Sequence, residues 1–329
     1  MSRPAAFADT DFHHAPGDAP AWQESVLLFL MDRASGLTLY MRIGTQPVRN
    51  VCQEWVYIQT PDGIRFRRLR FDLPVTERTR ADDGFGAGGL VWTYRADGTI
   101  ALTGRYADAA FDLVYRDFYP SMPCWRWIGR EQADIGAAAH YESSGRVTGR
   151  VTVAGRTWDI VDGLGHRDHS WGTRDGDNLR ACRWLVGTTG PELSHSLFSF
   201  LDAHGNFALG GWVMRDGVLA HARALDIVAD TNIDGLTVRG GKAVIGLDDG
   251  SEVVVAVTAV SSFITGHDSD HGGPASYVCA ETVSRTRIGD RDGICCFTVG
   301  NNASGPGRPA AAVWGDVSTL VDGLSGAGA

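Results

Sequence analysis

Asp-Gly dipeptides recur along the whole chain and constrain its fold more than any other feature. Ten occur, beginning at residues 62, 83, 97, 162, 175, 216, 234, 249, 292 and 322. A two-residue hairpin turn needs a positive φ at both central positions, which Asp tolerates and Gly adopts freely. Residues that favour strands flank these pairs, for example Val91–Arg95 and Thr99–Thr103 around residue 97, and Lys242–Leu247 and Ser251–Val257 around residue 249. The pattern predicts an all-β fold of antiparallel hairpins.

The length of the chain predicts two domains. At 329 residues it exceeds the size at which a single hydrophobic core normally stops growing. Strands joined hairpin by hairpin are typical of barrels and sandwiches rather than of a parallel sheet. We expect domains at residues 1–178 and 179–329, because a new series of strands begins at Cys182–Val186. Residues 1–20 are predicted to form a loosely held arm, and residues 316–324 a short helix.

Charge and hydropathy exclude several classes of partner. The formal net charge is −9, and the one basic run, Arg65–Arg70, alternates as the solvated face of a strand does, so nucleic acid is not an expected partner. The longest apolar run, Val26–Met31, is far shorter than the ~20 residues of a membrane helix. Met1–Pro4 does not begin a secretory signal, so we expect a cytoplasmic protein without a membrane span, with a homodimer as the candidate assembly.

The six cysteines are scattered and contain no Cys-x-x-Cys pair. This spacing predicts reduced, structural thiols rather than a disulfide framework or a zinc site.

The stretch Asp162–Asp175 concentrates chemically active side chains. It holds two imidazoles, several carboxylates, two guanidinium groups and an indole. Side chains alternate along an extended strand, so His166, Asp168 and Ser170 are expected on one face, and Arg167, His169 and Trp171 on the other. We expect the Asp168 side to point into a barrel lumen, where burial can raise the pKa of a carboxyl group toward neutral.

Asp168 and His166 are the predicted catalytic residues. A protonated Asp168 beside His166 can act as a general acid, and its ionised form as a general base. No cofactor is implied by this chemistry.

Two alternatives for the same motif stay open. In the first, the motif binds a metal ion; its donors would be His166, Asp168 and His169, completed by His140 and Glu142 or by His267, Asp268 and His271. In the second, Asp168 and Arg174 form a buried ion pair that pins the junction of the two domains.

Further residues are candidates for supporting the site or contacting a substrate. The main ones are Tyr141, Glu142, Arg167, His169, Trp171, Arg174, Trp184 and His195. Tyr141 and Glu142 are expected to face the same cavity as Asp168. His195 shares its strand register with Leu197, so we interpret it as a hydrogen-bonded core residue, with a site role as the alternative. Weaker candidates are Trp158 and Trp212 as pocket walls, and Tyr277 and Glu281 on one face of a late strand.

The motif resembles that of a known group of proteins. Gly165–Gly172 is similar to the Asp-His-Asn/Glu/Ser-Trp-Gly signature of the carotenoid 1,2-hydratase and AttH-like group, and Trp22–Ser25 and His140–Glu142 resemble further segments of uncharacterised bacterial members. The resemblance implies two consecutive lipocalin-like β-barrel domains. It implies that Asp168 is the acid that protonates a carbon–carbon double bond. The tyrosine that assists in the carotenoid hydratases is replaced here by His166.

These observations together predict a function. We expect a cofactor-free lyase or isomerase of the hydratase–dehydratase or cyclase type, acting on an isoprenoid-like or other lipophilic small molecule. A non-catalytic lipocalin-like carrier of a hydrophobic ligand and a metal-dependent lyase are the alternatives.

Overall fold

Antiparallel strands form nearly all of the regular structure. The computed structural model describes residues 3–129, 138–174, 179–202, 204–233, 235–267 and 277–302. Its described helical segments are three short 3₁₀ turns at Asp9–Asp11, Pro47–Arg49 and Glu77–Thr79. No helix in these ranges is long and apolar enough to cross a membrane. The all-β, antiparallel prediction is confirmed, whereas the cytoplasmic location and the homodimer stay predictions.

The first of two units contains residues 3–123 and 138–174. Its strands are β1 (Trp22–Asp32), β2 (Thr38–Gln46), β3 (Val51–Gln59), β4 (Arg65–Pro74), β5 (Arg80–Ala81), β6 (Gly84–Ala87), β7 (Leu90–Tyr94), β8 (Ile100–Arg105), β9 (Ala109–Asp117), β10 (Met122–Pro123), β11 (Ala139–Val153) and β12 (Arg156–Thr173). They form one sheet in the order β4-β3-β2-β1-β12-β11-β9-β8-β7-β6-β5, with β10 paired to β11. Strand β12 therefore lies between β1 and β11.

This sheet curls around its own hydrophobic core until β6 contacts β2 and β3. Val26, Leu28 and Leu30 of β1 belong to that core, together with Phe85 of β6 and Tyr115 of β9. Alternate residues of β1 therefore define which face of the sheet is the inner one. The residues that face outward on β1 are Leu27, Phe29 and Met31, which are also buried.

The second unit contains residues 124–129 and 179–302 of the described chain. Its strands are β13 (Leu179–Gly190), β14 (Leu193–Asp202), β15 (Phe207–Arg215), β16 (Val218–Thr231), β17 (Val238–Leu247), β18 (Glu252–His267), β19 (Tyr277–Ile288) and β20 (Arg291–Asn302). Each strand pairs with the next, and β13 pairs with β20, so the eight strands close into an up-and-down barrel. The boundary at residues 178/179 stays a prediction.

The Asp-Gly pairs serve two structural purposes. The described pairs at 62, 83, 97, 216 and 249 lie at turns, where each glycine has a positive φ. Among their aspartates only Asp216 also has one, at 50°. The pairs at 162 and 292 lie inside β12 and β20, contrary to the hairpin prediction. There the glycine is required for close approach, because a Cβ on Gly163 or Gly293 would collide with the carbonyl oxygen of Val147 or Thr188.

Two other predictions have a definite outcome or position. All six cysteines are buried, and none of them forms a disulfide bond in the structure. The helix predicted at residues 316–324 lies outside the described residues, as do the side chains of His267, Asp268, His271 and Tyr277.

A histidine is enclosed in the core of the second barrel. His195 on β14 pairs with Gly187 and Val213 and shares its face with the core residue Leu197, which confirms the predicted register. Within the described chain neither of its ring nitrogens has a hydrogen-bond partner, so the expectation of a hydrogen-bonded core residue is wrong. Burial lowers the pKa of His195 to about 3, because the apolar interior cannot solvate the imidazolium.

This shift predicts a pH-dependent cost to stability. Between pH 6.5 and about 3 the unfolded chain protonates His195 while the folded chain does not, so the free energy of unfolding falls as the pH falls through this window. We expect His195→Leu to remove the contribution of His195 to the pH dependence of the free energy of unfolding. Compared with the wild type, the variant should gain about 2 kcal/mol in this free energy between about pH 7.5 and about pH 5. Urea unfolding at the two pH values measures it. The exposed His204, changed to Leu, is the control and should leave the slope unchanged.

Candidate functional site

Strand β12 carries the motif from Asp162 through Thr173 in extended form, between β1 and β11. The predicted alternation of its side chains is confirmed by their partners. His169 and Arg167 lie opposite Val26 and Leu28 of the inner core, whereas Asp168 lies opposite Leu27. The expectation that Asp168 points into the lumen is therefore wrong. The inner face belongs to Arg167, His169 and Trp171, and Asp168 and His166 lie on the outer one.

Two carboxylates and two imidazoles meet on the outer face. Glu142 of β11 lies directly across from Asp168. The Nε2 atom of His140 lies 3.4 Å from Glu142 Oε1 and 3.5 Å from Asp168 Oδ2, between the two acids. On the other side of Glu142, Oε2 lies 3.8 Å from Nε2 of His166. We call these four residues the outer acid cluster.

Phe29 and Ser144 hold the ring of His166 within the outer acid cluster. Phe29 of β1 lies opposite His166 and its ring is stacked on the imidazole, with 5.7 Å between centroids and 22° between planes. Ser144 places its hydroxyl oxygen 2.9 Å from Nδ1 of His166. Together these contacts fix the ring of His166. The cluster thus combines buried proton donors and acceptors with the aromatic ring of Phe29. Such a combination is suited to general acid–base chemistry.

A second cluster lies on the inner face and was not predicted from the sequence. Its centre is Glu24 of β1, which is fully buried. His13 Nδ1 lies 2.9 Å from Oε2, His14 Nδ1 2.9 Å from Oε1 and His169 Nε2 3.2 Å from Oε1. Burial alone would raise the pKa of Glu24, but the hydrogen bonds from the three histidines hold it well below its usual value. We call this group the Glu24 cluster.

An aromatic stack flanks the Glu24 cluster. Trp171 is stacked on His14 at 3.5 Å with 9° between planes, and on Tyr141 at 5.5 Å with 4°. Tyr141 pairs with His169 across the strands, so it faces inward. The expectation that Tyr141 shares a cavity with Asp168 is therefore wrong, because adjacent residues of a strand point to opposite faces. Only Glu142 of that pair faces Asp168.

Arg167 forms a buried ion-pair network on the inner face. Its Nε and NH2 groups donate to the two carboxylate oxygens of Asp117, both at 2.8 Å, and its NH1 group donates to Asp11 at 2.7 Å. Burial would lower the pKa of Arg167, but the charges of Asp117 and Asp11 raise it well above its usual value. Bidentate pairing of this kind satisfies the guanidinium group without water.

Residues 3–21, which we call the arm, are held to the sheet by these contacts. Phe12 is buried against Tyr94, and the carbonyl of Thr10 accepts a hydrogen bond from His169 Nδ1 at 2.8 Å. The prediction of a loosely held arm is wrong for this segment. The sequence of this segment is typical of a solvated terminus. In the structure, however, its Asp11, His13 and His14 side chains are partners of buried groups on β1 and β12.

Comparison with known proteins defines the family. The model of the family described as "Domain of unknown function (DUF7064)" matches residues 8–303. The chain belongs to this family. A sequence search of curated proteins gives no match.

The solved structures similar to this DUF7064 member share its two-barrel fold. An AttH candidate from Nitrosomonas europaea matches with a TM-score of 0.63 and 14% identity over 89% of this chain and 94% of that chain. CghA matches with a TM-score of 0.60 and 13% identity over 91% and 96%. Kievitone hydratase from Nectria haematococca matches with a TM-score of 0.58 and 9% identity over 91% and 98%. These likenesses confirm the predicted lipocalin-like fold.

The remaining predicted site residues are distributed over both units. Arg174 donates to the hydroxyl of Ser170 at 2.6 Å. Trp184 and His195 belong to the second barrel and lie on opposite faces of its wall, since Trp184 pairs with Phe198 and His195 faces the core. Glu281 of the same barrel accepts a hydrogen bond from Thr298 at 2.6 Å. The tryptophans are separated as well: Trp158 packs at the edge of the first core, Trp171 faces inward, and Trp212 is fully buried in the second unit.

Removing Arg167 tests the role of the buried network. Arg167→Met keeps the length of the side chain but leaves Asp11 and Asp117 without their shared cation, so we expect a loss of about 3–5 kcal/mol in the free energy of unfolding. The arm should also become more sensitive to protease. Urea unfolding and limited proteolysis measure the two effects. As a control, Arg150→Met breaks an exposed pair with Asp159 and should cost no more than about 1 kcal/mol; equal losses would contradict the interpretation.

Proposed function

We propose that this protein is an acid–base lyase of the hydratase type, which adds water to, or removes it from, a carbon–carbon double bond of a lipophilic small molecule. The observation that carries the proposal is the position of His140 between Asp168 and Glu142, with all three side chains largely buried. Such a group of titratable side chains can move a proton between neighbours without a bound cofactor. One structural relative is named a hydratase, which agrees with this reaction class.

Exposure distinguishes the roles within the outer acid cluster. The side chains of Asp168 and His140 are 7% and 10% exposed, whereas those of Glu142 and His166 are fully buried. We therefore assign Asp168 as the catalytic residue that touches the substrate. Glu142 and His166 act through their neighbours as positioning residues, with Ser144 fixing the ring of His166. His166, which the sequence predicted to be catalytic, is therefore a positioning residue in this assignment, and His140 is the residue that passes the proton.

The proposed reaction balances in two proton transfers. The carboxyl group of protonated Asp168 gives its proton to one alkene carbon, forming a C–H bond and leaving a carbocation at the neighbouring carbon. A water oxygen then bonds to that carbon, and the proton it loses returns through His140 to the carboxylate of Asp168. Dehydration of a tertiary alcohol is the reverse sequence. His140 suits the transfer because an imidazole exchanges protons near neutral pH.

The lipophilic substrate class rests on the row of side chains beside Asp168. Across the sheet, His166 lies opposite Phe29, and Phe29 lies opposite Tyr40. Leu27, opposite Asp168, adds an apolar side chain to this face, and the next residue in its row is the buried Arg42. Aromatic faces stabilise a nearby positive charge, as a carbocation intermediate requires. The sequence had named tryptophans as pocket walls, whereas the aromatic residues in the row beginning at His166 are Phe29, Tyr40 and Tyr57.

Turnover by an Asp168 variant tests the proposal. A panel of isoprenoid alkenes and tertiary alcohols, incubated in ¹⁸O-labelled water, reports addition or loss of water by mass spectrometry. We expect Asp168→Asn to lower turnover by about 10²–10⁴-fold with little change in melting temperature, because the amide cannot transfer the proton. Glu142→Gln should lower turnover less and shift its pH dependence, because it removes the carboxylate that lies 3.4 Å from Nε2 of His140.

Asp159→Asn is the matched control, because it makes the same change at an exposed position of the same strand. It should leave turnover unchanged. If Asp168→Asn unfolds the protein, Asp168 is a structural clasp. If the wild-type protein binds members of the panel, turns none over, and binds them equally well with Asn at position 168, the protein is a carrier and the enzyme proposal is wrong.

A further inference from the structure

The Glu24 cluster on the inner face has no part in the proposed reaction and combines donors from three segments of the chain. Glu24 comes from β1, His169 from β12 and His14 from the arm. We propose that Glu24, His14 and His169 form a binding site for a divalent transition metal ion, most suitably Zn²⁺. This site is separate from the outer acid cluster, and it does not depend on the proposed function.

The spacing of the three donor atoms fits one metal ion. His14 Nδ1 and His169 Nε2 lie 2.9 Å and 3.2 Å from the same oxygen of Glu24, and the three atoms all lie within 4.8 Å of one another. Two ligands bonded at about 2.0–2.1 Å to a tetrahedral zinc are separated by roughly 3.4 Å. Small shifts of the two imidazole rings would therefore bring all three donors to bonding distance.

A backbone carbonyl fixes the ring of His169 so that Nε2 faces Glu24. Its Nδ1 atom lies 2.8 Å from the carbonyl oxygen of Thr10. A carbonyl oxygen can only accept a hydrogen bond, so Nδ1 of His169 carries a proton, and Nε2 is the ring nitrogen that faces Oε1 of Glu24 at 3.2 Å. A backbone carbonyl that fixes the ring in this way is the usual outer partner of a metal-binding histidine.

The second oxygen of Glu24 is held separately. His13 Nδ1 lies 2.9 Å from Oε2 and NH1 of Arg80 lies 3.4 Å from it. His13 is itself fixed by the carbonyl of Gly84, 2.9 Å from its Nε2 atom. The carboxylate is therefore oriented with Oε1 toward His14 and His169. Outer partners that orient a ligating carboxylate are a common feature of metal sites.

The donor types and the exposure indicate which ion fits and how it enters. Two imidazoles and one carboxylate suit Zn²⁺, and also Co²⁺ and Ni²⁺, and three protein ligands leave a fourth position for water. Glu24 and His169 are fully buried, whereas the side chain of His14 is 24% exposed, so the ion enters past His14. A bound ion would link the arm to β1 and β12.

Metal titration of the full-length protein tests the site. After dialysis against a chelator, ZnCl₂ is added in a calorimeter and CoCl₂ in an absorption spectrometer. We expect one equivalent of each to bind, visible absorption bands of four- or five-coordinate Co²⁺, a higher melting temperature, and slower proteolysis of the arm. Glu24→Gln should weaken Zn²⁺ binding by at least about 100-fold, because the amide supplies no charge. His204→Ala, at an exposed histidine, should bind as the wild type does.

His14→Ala is a second variant, because Glu24→Gln changes a fully buried group and can prevent folding. It removes a partly exposed ligand and leaves Glu24 and His169 in place, so it should fold and lose at least about 10-fold in affinity. The proposal is wrong if the wild-type protein binds less than one equivalent of Zn²⁺, or if His14→Ala binds it as tightly as the wild type. Because binding, absorption and proteolysis are the readouts, failure here is distinguishable from a failure of the proposed lyase activity.

Discussion

The position of β12 between β1 and β11 is the constraint on which the chemistry of the first unit depends. Both neighbours are paired without a shift through the motif, so each side chain from His166 to Trp171 has a fixed face. Six consecutive residues are thereby divided into two chemically different groups only a sheet thickness apart. A slip of one residue would exchange the faces and separate Arg167 from Asp11 and Asp117, which would leave all three of these largely buried charges without their partners.

The inner face shows how a hydrophobic core can enclose several charged groups. Arg167 is satisfied by Asp11 and Asp117, and Glu24 by three imidazoles. Both sets take partners from the arm, whose own residues could not form a core. The arm therefore folds because the sheet holds buried charges that need it, and the sheet can bury those charges because the arm supplies their counterparts. Neither part is complete alone.

The sequence predicted the fold well because its signals were local. Asp-Gly turns and runs of strand formers depend on neighbouring residues, and so does the alternation of His166 and Arg167. The faces were assigned wrongly because the direction of curl depends on how Val26 and Leu28 meet Phe85 across the whole sheet. The alternation of side chains shows which residues share a face of the sheet. Only the long-range packing shows which of the two faces is the inner one.

The candidate site was predictable where its members are close in sequence. Asp168, His166 and Glu142 were named from the motif and its paired strand. Glu24 lies in Trp22–Ser25, a segment that was not predicted to contribute to a site. His13 and His14 were predicted to lie in a loosely held arm. Contacts spanning about 145 residues, such as that between Glu24 and His169, leave no local pattern. The adjacent histidines were the one signal that could have indicated a partner, since two neighbouring imidazoles are uncommon in an unstructured terminus.

The two units differ in how their sheets end. The second barrel closes on itself, whereas no described strand pairs with the outer edge of β4 in the first sheet. An open edge offers unpaired backbone groups to any passing strand and is a common starting point for aggregation. Strand β4 carries the only basic run of the chain, Arg65–Arg70, and ends at Pro74. Two such edges brought together would repel each other, so these arginines oppose pairing of the open edge with a second copy of the chain.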